Sequence, residues 1–220
     1  MKRVLVSLVV ALTCLAGSNS YGILMSVWDF GPDQANFTLV PQFENVSGIP
    51  TLVFGGADFD INGGNGTAFT DAAGNSHIAG QCLHWNDVSK SGGNNAYIIL
   101  TIDTTGWQDM SIRWDYKSKD ATKKGPDSFD LDYVVGNGSW VNILNNYGII
   151  RDGAWHEFSY DLSSITGIDN QSSVQFRIND FNQNDLNGDY WQDNIQMTGT
   201  PEPATLLLLG LGAMLMRRKS

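Results

Sequence analysis

Apolar and polar residues alternate with period two along several stretches of the chain. Ile112, Trp114 and Tyr116 alternate with Arg113, Asp115 and Lys117. Phe129, Leu131 and Tyr133 alternate with Asp130 and Asp132, and Phe158, Tyr160 and Leu162 with Ser159 and Asp161. Val174, Phe176 and Ile178 alternate with Gln175, Arg177 and Asn179. Successive side chains of a strand point to opposite faces, so each run predicts a strand with one wet face, as in antiparallel sheets. Tyr97–Ile102 is apolar on both faces and predicts a central strand. Turn chemistry separates the runs, at Gly92-Gly93-Asn94-Asn95, Lys124-Gly125-Pro126-Asp127, Gly136-Asn137-Gly138 and Arg151-Asp152-Gly153. No stretch between the two ends of the chain keeps a helical period beyond about two turns. Roughly nine to eleven strands predict an all-β fold, a two-sheet antiparallel β-sandwich of the jelly-roll kind.

Both ends depart from this pattern. Lys2 and Arg3 precede an apolar run, Val4 to Ala16, and then Gly17-Ser18-Asn19-Ser20. That order predicts a secretory signal peptide over residues 1–20, cut after Ser18 or Ser20. Cys14 follows Thr13, a poor match to the small residue that lipoprotein processing requires. Residues 21–199 then form the sandwich domain. At the other end, Thr200-Pro201-Glu202-Pro203 leads into an apolar run, Ala204 to Met216, closed by Arg217-Arg218-Lys219-Ser220. The prolines stop a strand, and the apolar run predicts a helix. Its 13 residues make only about 20 Å against a hydrocarbon core of about 30 Å, so it suits a transient membrane anchor. The basic cluster holds the far end on the cytoplasmic side.

Residues 200–220 resemble the PEP-CTERM sorting signal, in which Pro-Glu-Pro, an apolar stretch and a basic cluster follow in that order. The resemblance implies recognition by an exosortase, a membrane transpeptidase-like enzyme that cuts near Pro201-Glu202-Pro203. It also implies export and association with the cell surface or an extracellular polymer, and says nothing about chemistry.

Charge narrows the partners. The chain has a net charge of −10, and without the two terminal segments it has 8 basic and 22 acidic residues. Such a surface repels phosphate backbones, which argues against nucleic-acid binding, and it collects cations. Cys82 is the one cysteine outside the signal segment, so no intrachain disulfide is available there, and its apolar surroundings predict a buried thiol.

Calcium is the strongest metal candidate. Asp58-Phe59-Asp60-Ile61-Asn62-Gly63 matches the first half of a calcium loop, with Asp58, Asp60 and Asn62 as alternate oxygen donors. The twelfth position is Phe69 where a full loop has glutamate, with Asp71 nearby. Asp185-Leu186-Asn187-Gly188-Asp189, followed by Asp193, is a second candidate. His77, His84 and His156 have no zinc spacing, and no G-x-S-x-G is present.

The run of features from Trp28-Asp29-Phe30 through Ala96–Ile102, Thr105-Gly106-Trp107 and Val174–Ile178 to Asp193-Asn194-Ile195-Gln196-Met197 is similar to galactose-binding-like and carbohydrate-binding jelly rolls. That resemblance implies a structural calcium near the terminal strands, which favours Asp193. Sugar recognition uses exposed rings that stack on C–H faces. Trp85, Trp107, Trp140, Tyr147, Trp155, Tyr190 and Trp191 lie near turns or off the core phase, whereas Trp28 and Trp114 read as core. Trp107, Trp140, Trp155 and Trp191 are the rings expected to bind. The expectation is a non-catalytic, surface- or exopolysaccharide-associated protein that binds carbohydrate or builds matrix. The alternative is a secreted hydrolase with Glu157, beside Trp155, and Asp130 or Asp132 as its acid pair.

Overall fold

The computed structural model describes residues 22–30, 41, 43–55, 59–60, 66–70, 74, 76–77, 79–85, 96–119, 125–182 and 189–202. The expected signal peptide and the apolar run of the tail lie outside them. Among the described residues no helix is long and apolar enough to cross a membrane.

The strands are β1 Ile23–Trp28, β2 Phe43–Glu44, β3 Thr51–Gly55, β4 Phe59–Asp60, β5 Phe69–Thr70, β6 Ser76–His77 and β7 Leu83–Trp85. They continue as β8 Tyr97–Ile102, β9 Trp107–Ser118, β10 Ser128–Val135, β11 Val141–Gly148, β12 His156–Asp161, β13 Val174–Asn182 and β14 Tyr190–Pro201. Two antiparallel sheets face each other in a jelly-roll β-sandwich. A seven-stranded sheet runs β12-β9-β14-β1-β2, with β7 also on β14 and β4 on β7. A five-stranded sheet runs β11-β10-β13-β8-β3, and β5 and β6 form a separate pair.

The alternation sets which residues meet between the sheets. Ile112, Trp114 and Tyr116 of β9 face Phe129 and Leu131 of β10 and Phe176 and Ile178 of β13 in one buried cluster. The Trp114 ring lies 4.0 Å from Phe158 and 5.4 Å from Phe129, centroid to centroid. Rings this close add to the burial they already contribute. Trp114→Ala is expected to cost about 3–5 kcal/mol of stability, measured by urea unfolding.

A smaller cluster, Leu24, Val27 and Phe69, packs β5 on the outward side of β1. The outer face of the seven-stranded sheet is therefore partly covered. The expected central strand Tyr97–Ile102 is interior, between β13 and β3, but it is not buried on both faces. Ile98, Leu100 and Ile102 are buried, while Tyr97, Ile99 and Thr101 are half-buried on the outer side. Tyr97 and Ile99 line an open groove.

Candidate functional site

Asp132 and Arg177 stand opposite each other on β10 and β13, with Asn142 of β11 next to Asp132 and Ile99 of β8 next to Arg177. Asp132, Arg177 and Ile99 each lie one position out of phase with a buried neighbour (Leu131, Ile178, Ile98), so this row points away from the core. Arg177 Nη2 and Nε donate to Asp132 Oδ2 at 2.7 and 3.2 Å. Asn142 Nδ2 donates to Asp132 Oδ1 at 2.9 Å. The guanidinium carbon lies 4.2 Å from the centroid of the Trp140 ring. Asp132 thus fixes Arg177, and Arg177 fixes one face of the indole.

This arrangement walls a groove of about 380 Å³ lined by Tyr97, Ile99, Trp140, Arg177, Asn179 and Asp180. Asn179 Oδ1 is buried there without a hydrogen-bond partner. The groove therefore presents two aromatic rings, an aliphatic side chain and a guanidinium, a lining able to stack on a ligand and to donate hydrogen bonds to it. Asp132 is only 6% exposed, so Asp132→Ala strands a positive charge. It is expected to cost about 1–3 kcal/mol in thermal or urea unfolding and to loosen Trp140.

The four rings expected to bind do not share one site. Trp107 is 7% exposed and belongs to the core. The reason is local. Asp109 has φ +48, and β9 carries one residue more than β14 between Ser111↔Thr198 and Gln108↔Thr200. That bulge flips the phase and turns Trp107 inward. Trp85 and Tyr190 are also fully buried, at 5.9 Å from each other. Tyr147 packs on Phe129 and Phe158 at the margin of the core. Trp155 and Trp191 lie on the outer face of the other sheet, either side of Lys117, whose Nζ is 5.5 and 4.5 Å from their centroids. His84 stacks on Trp191 at 4.5 Å. Trp140 alone of the four sits in the groove.

The acid pair considered for a hydrolase is also divided. Glu157 pairs with Arg113 on the outer side of the seven-stranded sheet, opposite Asp115. Asp130 and Asp132 lie on the outer side of the five-stranded sheet, so the sandwich separates them from Glu157. Tyr97, Asn142, Arg177 and Asn179 were not singled out from the sequence as site residues. Arg177 and Asn179 carried one signal, their place on the wet phase of a strand, and Tyr97 and Asn142 carried none.

The metal candidates divide by position. Asp58, Asn62, Asp185 and Asn187 lie outside the described residues. Asp60 is placed only by its backbone pairing with His84. Asp193 is 1% exposed. A bulge puts three steps of β14, Asp193 to Gln196, against two of β9, Asp115 to Arg113. Asn194 takes φ +53 there, a conformation asparagine tolerates better than most residues. The Thr67 N–H donates to Asp193 Oδ2 and the Asn194 N–H to Oδ1, both at 2.8 Å. Asn194 Nδ2 donates to Asp115 Oδ2 at 2.6 Å and to the Thr67 carbonyl at 3.0 Å.

Burial pushes the Asp193 carboxyl up to about 8, with the charges of Asp115 and Asp29 adding to the rise. Gly66 is obligatory beside it, since a Cβ there would meet Asp193 Oδ2 at 2.4 Å, the Gln81 carbonyl at 2.6 Å and the Gly80 carbonyl at 3.0 Å. Gln81 Oε1 is buried without a partner. Among the described residues no three His, Cys, Asp or Glu side chains converge on a metal position. A cation at Asp193 would draw on carbonyl and amide oxygens as well, which is the donor set calcium accepts. Cys82 is buried nearby, its thiol pushed up to about 12 by burial and by Asp193.

No curated protein matches the chain by sequence. By shape it is similar to the CBM22-1 xylan-binding domain of Xyn10C from Paenibacillus barcinonensis, at 12% identity and a TM-score of 0.46, over 82% of this chain and 96% of that one. The CBM22-1-CBM22-2 tandem domain of the same protein gives 14% and 0.49, over 85% of this chain and 49% of that one. A family 35 carbohydrate binding module from Clostridium thermocellum gives 14% and 0.38, over 67% and 96%. Residues 200–219 match the PEP-CTERM protein-sorting motif. The chain is a β-sandwich protein carrying that motif, which indicates export and exosortase-dependent placement at the surface or outside the cell.

Proposed function

We propose that the sandwich is a non-catalytic carbohydrate-binding domain and that a polysaccharide chain lies across the outer face of its five-stranded sheet. The supporting observation is the groove itself. The Arg177 guanidinium lies against the Trp140 ring, and Tyr97, Ile99 and Asn179 line the same groove. An apolar ring offers a sugar C–H face a dry surface to stack on. Sorting to the cell surface or extracellular matrix would bring the domain to exopolysaccharide, the partner this reading assigns.

Calcium at Asp193 is the structural companion of this reading. Asp193, the Gly80 and Gln81 carbonyls and the Gln81 amide oxygen are the donors that would hold it. A bound divalent ion supplies the positive charge that the buried carboxylate otherwise lacks. The site ties residues 66–67 and 80–81 to β14.

A glycan and polysaccharide array probed with the exported protein tests the binding role. Retention on at least one polysaccharide is expected. Binding to none would leave the matrix-building role in its place.

A further inference from the structure

The sorting motif begins inside the fold. β14 ends at Pro201, which lies opposite Trp107, and Thr200 lies opposite Gln108. Beyond it the Glu202 N–H donates to the Gly106 carbonyl at 2.8 Å. Gly106 is itself anchored, because its N–H donates to Asn170 Oδ1 at 2.9 Å and the Asn170 N–H donates to the Trp107 carbonyl at 3.0 Å. Pro201 is therefore the last residue of the sheet, and Glu202 is tied to the turn that leads into β9. An enzyme that reads a peptide as an extended strand needs the same backbone groups that β9 already holds. Pro203 alone separates Glu202 from the apolar run that begins at Ala204. No slack is left for an enzyme to grip the motif while the strand end stays paired.

That strand end has features that ease its opening. Pro201 has no N–H to give to the ladder. The β9–β14 register slips between Thr198 and Thr200, just before the motif. The Asp169 carboxyl is raised by its burial and then by the charges of Asp109 and Glu202, so three carboxylates share this corner. Like charges brought together weaken the arrangement that assembles them.

We propose that the exosortase captures its motif only after Thr200–Glu202 peel away from Gly106–Gln108, so that the sandwich sets the rate of its own processing. Repulsion among Asp109, Asp169 and Glu202 keeps the peeled state accessible. The inference rests on the reading of residues 200–219 as a working exosortase signal.

Pulse–chase labelling of the full chain in its native host, following the precursor's conversion to the mature form, tests both. Asp169→Asn keeps an oxygen for the Asp109 N–H but removes one charge. It is expected to slow maturation about two- to five-fold, the range of an exposed charge interaction. A Gly-Ser-Gly-Ser insertion between Thr200 and Pro201 frees the motif from β9 and is expected to speed maturation. Pro201→Ala with Pro203→Ala is the control for the signal. If that double variant matures like the native chain, the sorting reading fails and takes the gate with it. If it does not mature, yet the Asp169→Asn and insertion variants both keep the native rate, the gate alone is overturned.

Discussion

Trp140→Ala is expected to weaken polysaccharide binding about 30-fold, the effect of losing a hot-spot ring worth about 2 kcal/mol. Stability should change little, because Trp140 is half-exposed and lies outside the buried core. Isothermal titration with the polysaccharide identified on the array gives the affinity, and a melting curve of the same sample gives the stability. Trp155→Ala and Trp191→Ala serve as controls. Both rings lie on the outer side of the other sheet, packed against Lys117, so their loss should leave the affinity unchanged. Native affinity in Trp140→Ala would remove the groove from the account. The contrast works because the three rings belong to two faces of one sandwich.

Removing calcium is expected to lower the melting temperature of the exported protein by about 5–10 °C, and adding it back to restore the loss. This follows from an ion held at about 100 times its Kd, worth about 2.7 kcal/mol, at about 2–4 °C per kcal/mol for a domain of this size. The pH dependence gives a second check. Burial raises the Asp193 carboxyl to about 8 in the metal-free fold, well above an unfolded value near 3.9. A raised carboxyl binds its proton more tightly in the folded state than in the unfolded one. Its contribution to stability is therefore fully present below about pH 4 and is lost as pH rises toward about 8. Calcium favours the ionised form and offsets that loss. The melting difference between EDTA- and calcium-treated protein should accordingly be small at pH 5 and large at pH 8. Asp193→Asn removes the titrating group and should flatten the difference. No shift with EDTA at pH 8 would end the calcium proposal.

Much of this architecture was legible in the order of residues. The alternations at Ile112–Tyr116, Phe129–Tyr133, Phe158–Leu162 and Val174–Ile178 each fell on a strand whose apolar phase packs in the core, with Leu162 just past the end of β12 and the wet-face Asp115 and Asp132 buried. Period-two patterning reports burial directly when a strand is regular. It fails where the strand is not. The extra residue at Asp109 flips Trp107 from an exposed ring into a core ring, and no local residue pattern announced it. The bulge at Asp193–Gln196 has the opposite consequence. It gathers Asp193, Asn194 and Asp115 with Thr67, residues far apart in sequence whose meeting depends on how β14 crosses β9.

The groove was legible only in part. Asp132 and Arg177 were visible as wet-face residues, but their pairing needs the register of β10 on β13. Without that register Asp132 reads as a free acid, which is why it entered a hydrolase alternative with Glu157. In the fold it accepts from Arg177 and Asn142 and holds Trp140 through the former. Tyr97 and Ile99 looked like buried residues because they are apolar. They are the apolar floor of an exposed site.

The indole N–H resonances of the uniformly 15N-labelled exported protein, followed during titration with the bound saccharide, test the central claim most directly. Each tryptophan gives one signal, assigned by single substitutions, so the face that meets the ligand identifies itself. The account expects the Trp140 signal to move with saturation, while the signals of Trp155, Trp191 and the buried Trp28, Trp85, Trp107 and Trp114 hold still. Movement at Trp155 or Trp191 with Trp140 unchanged would contradict it.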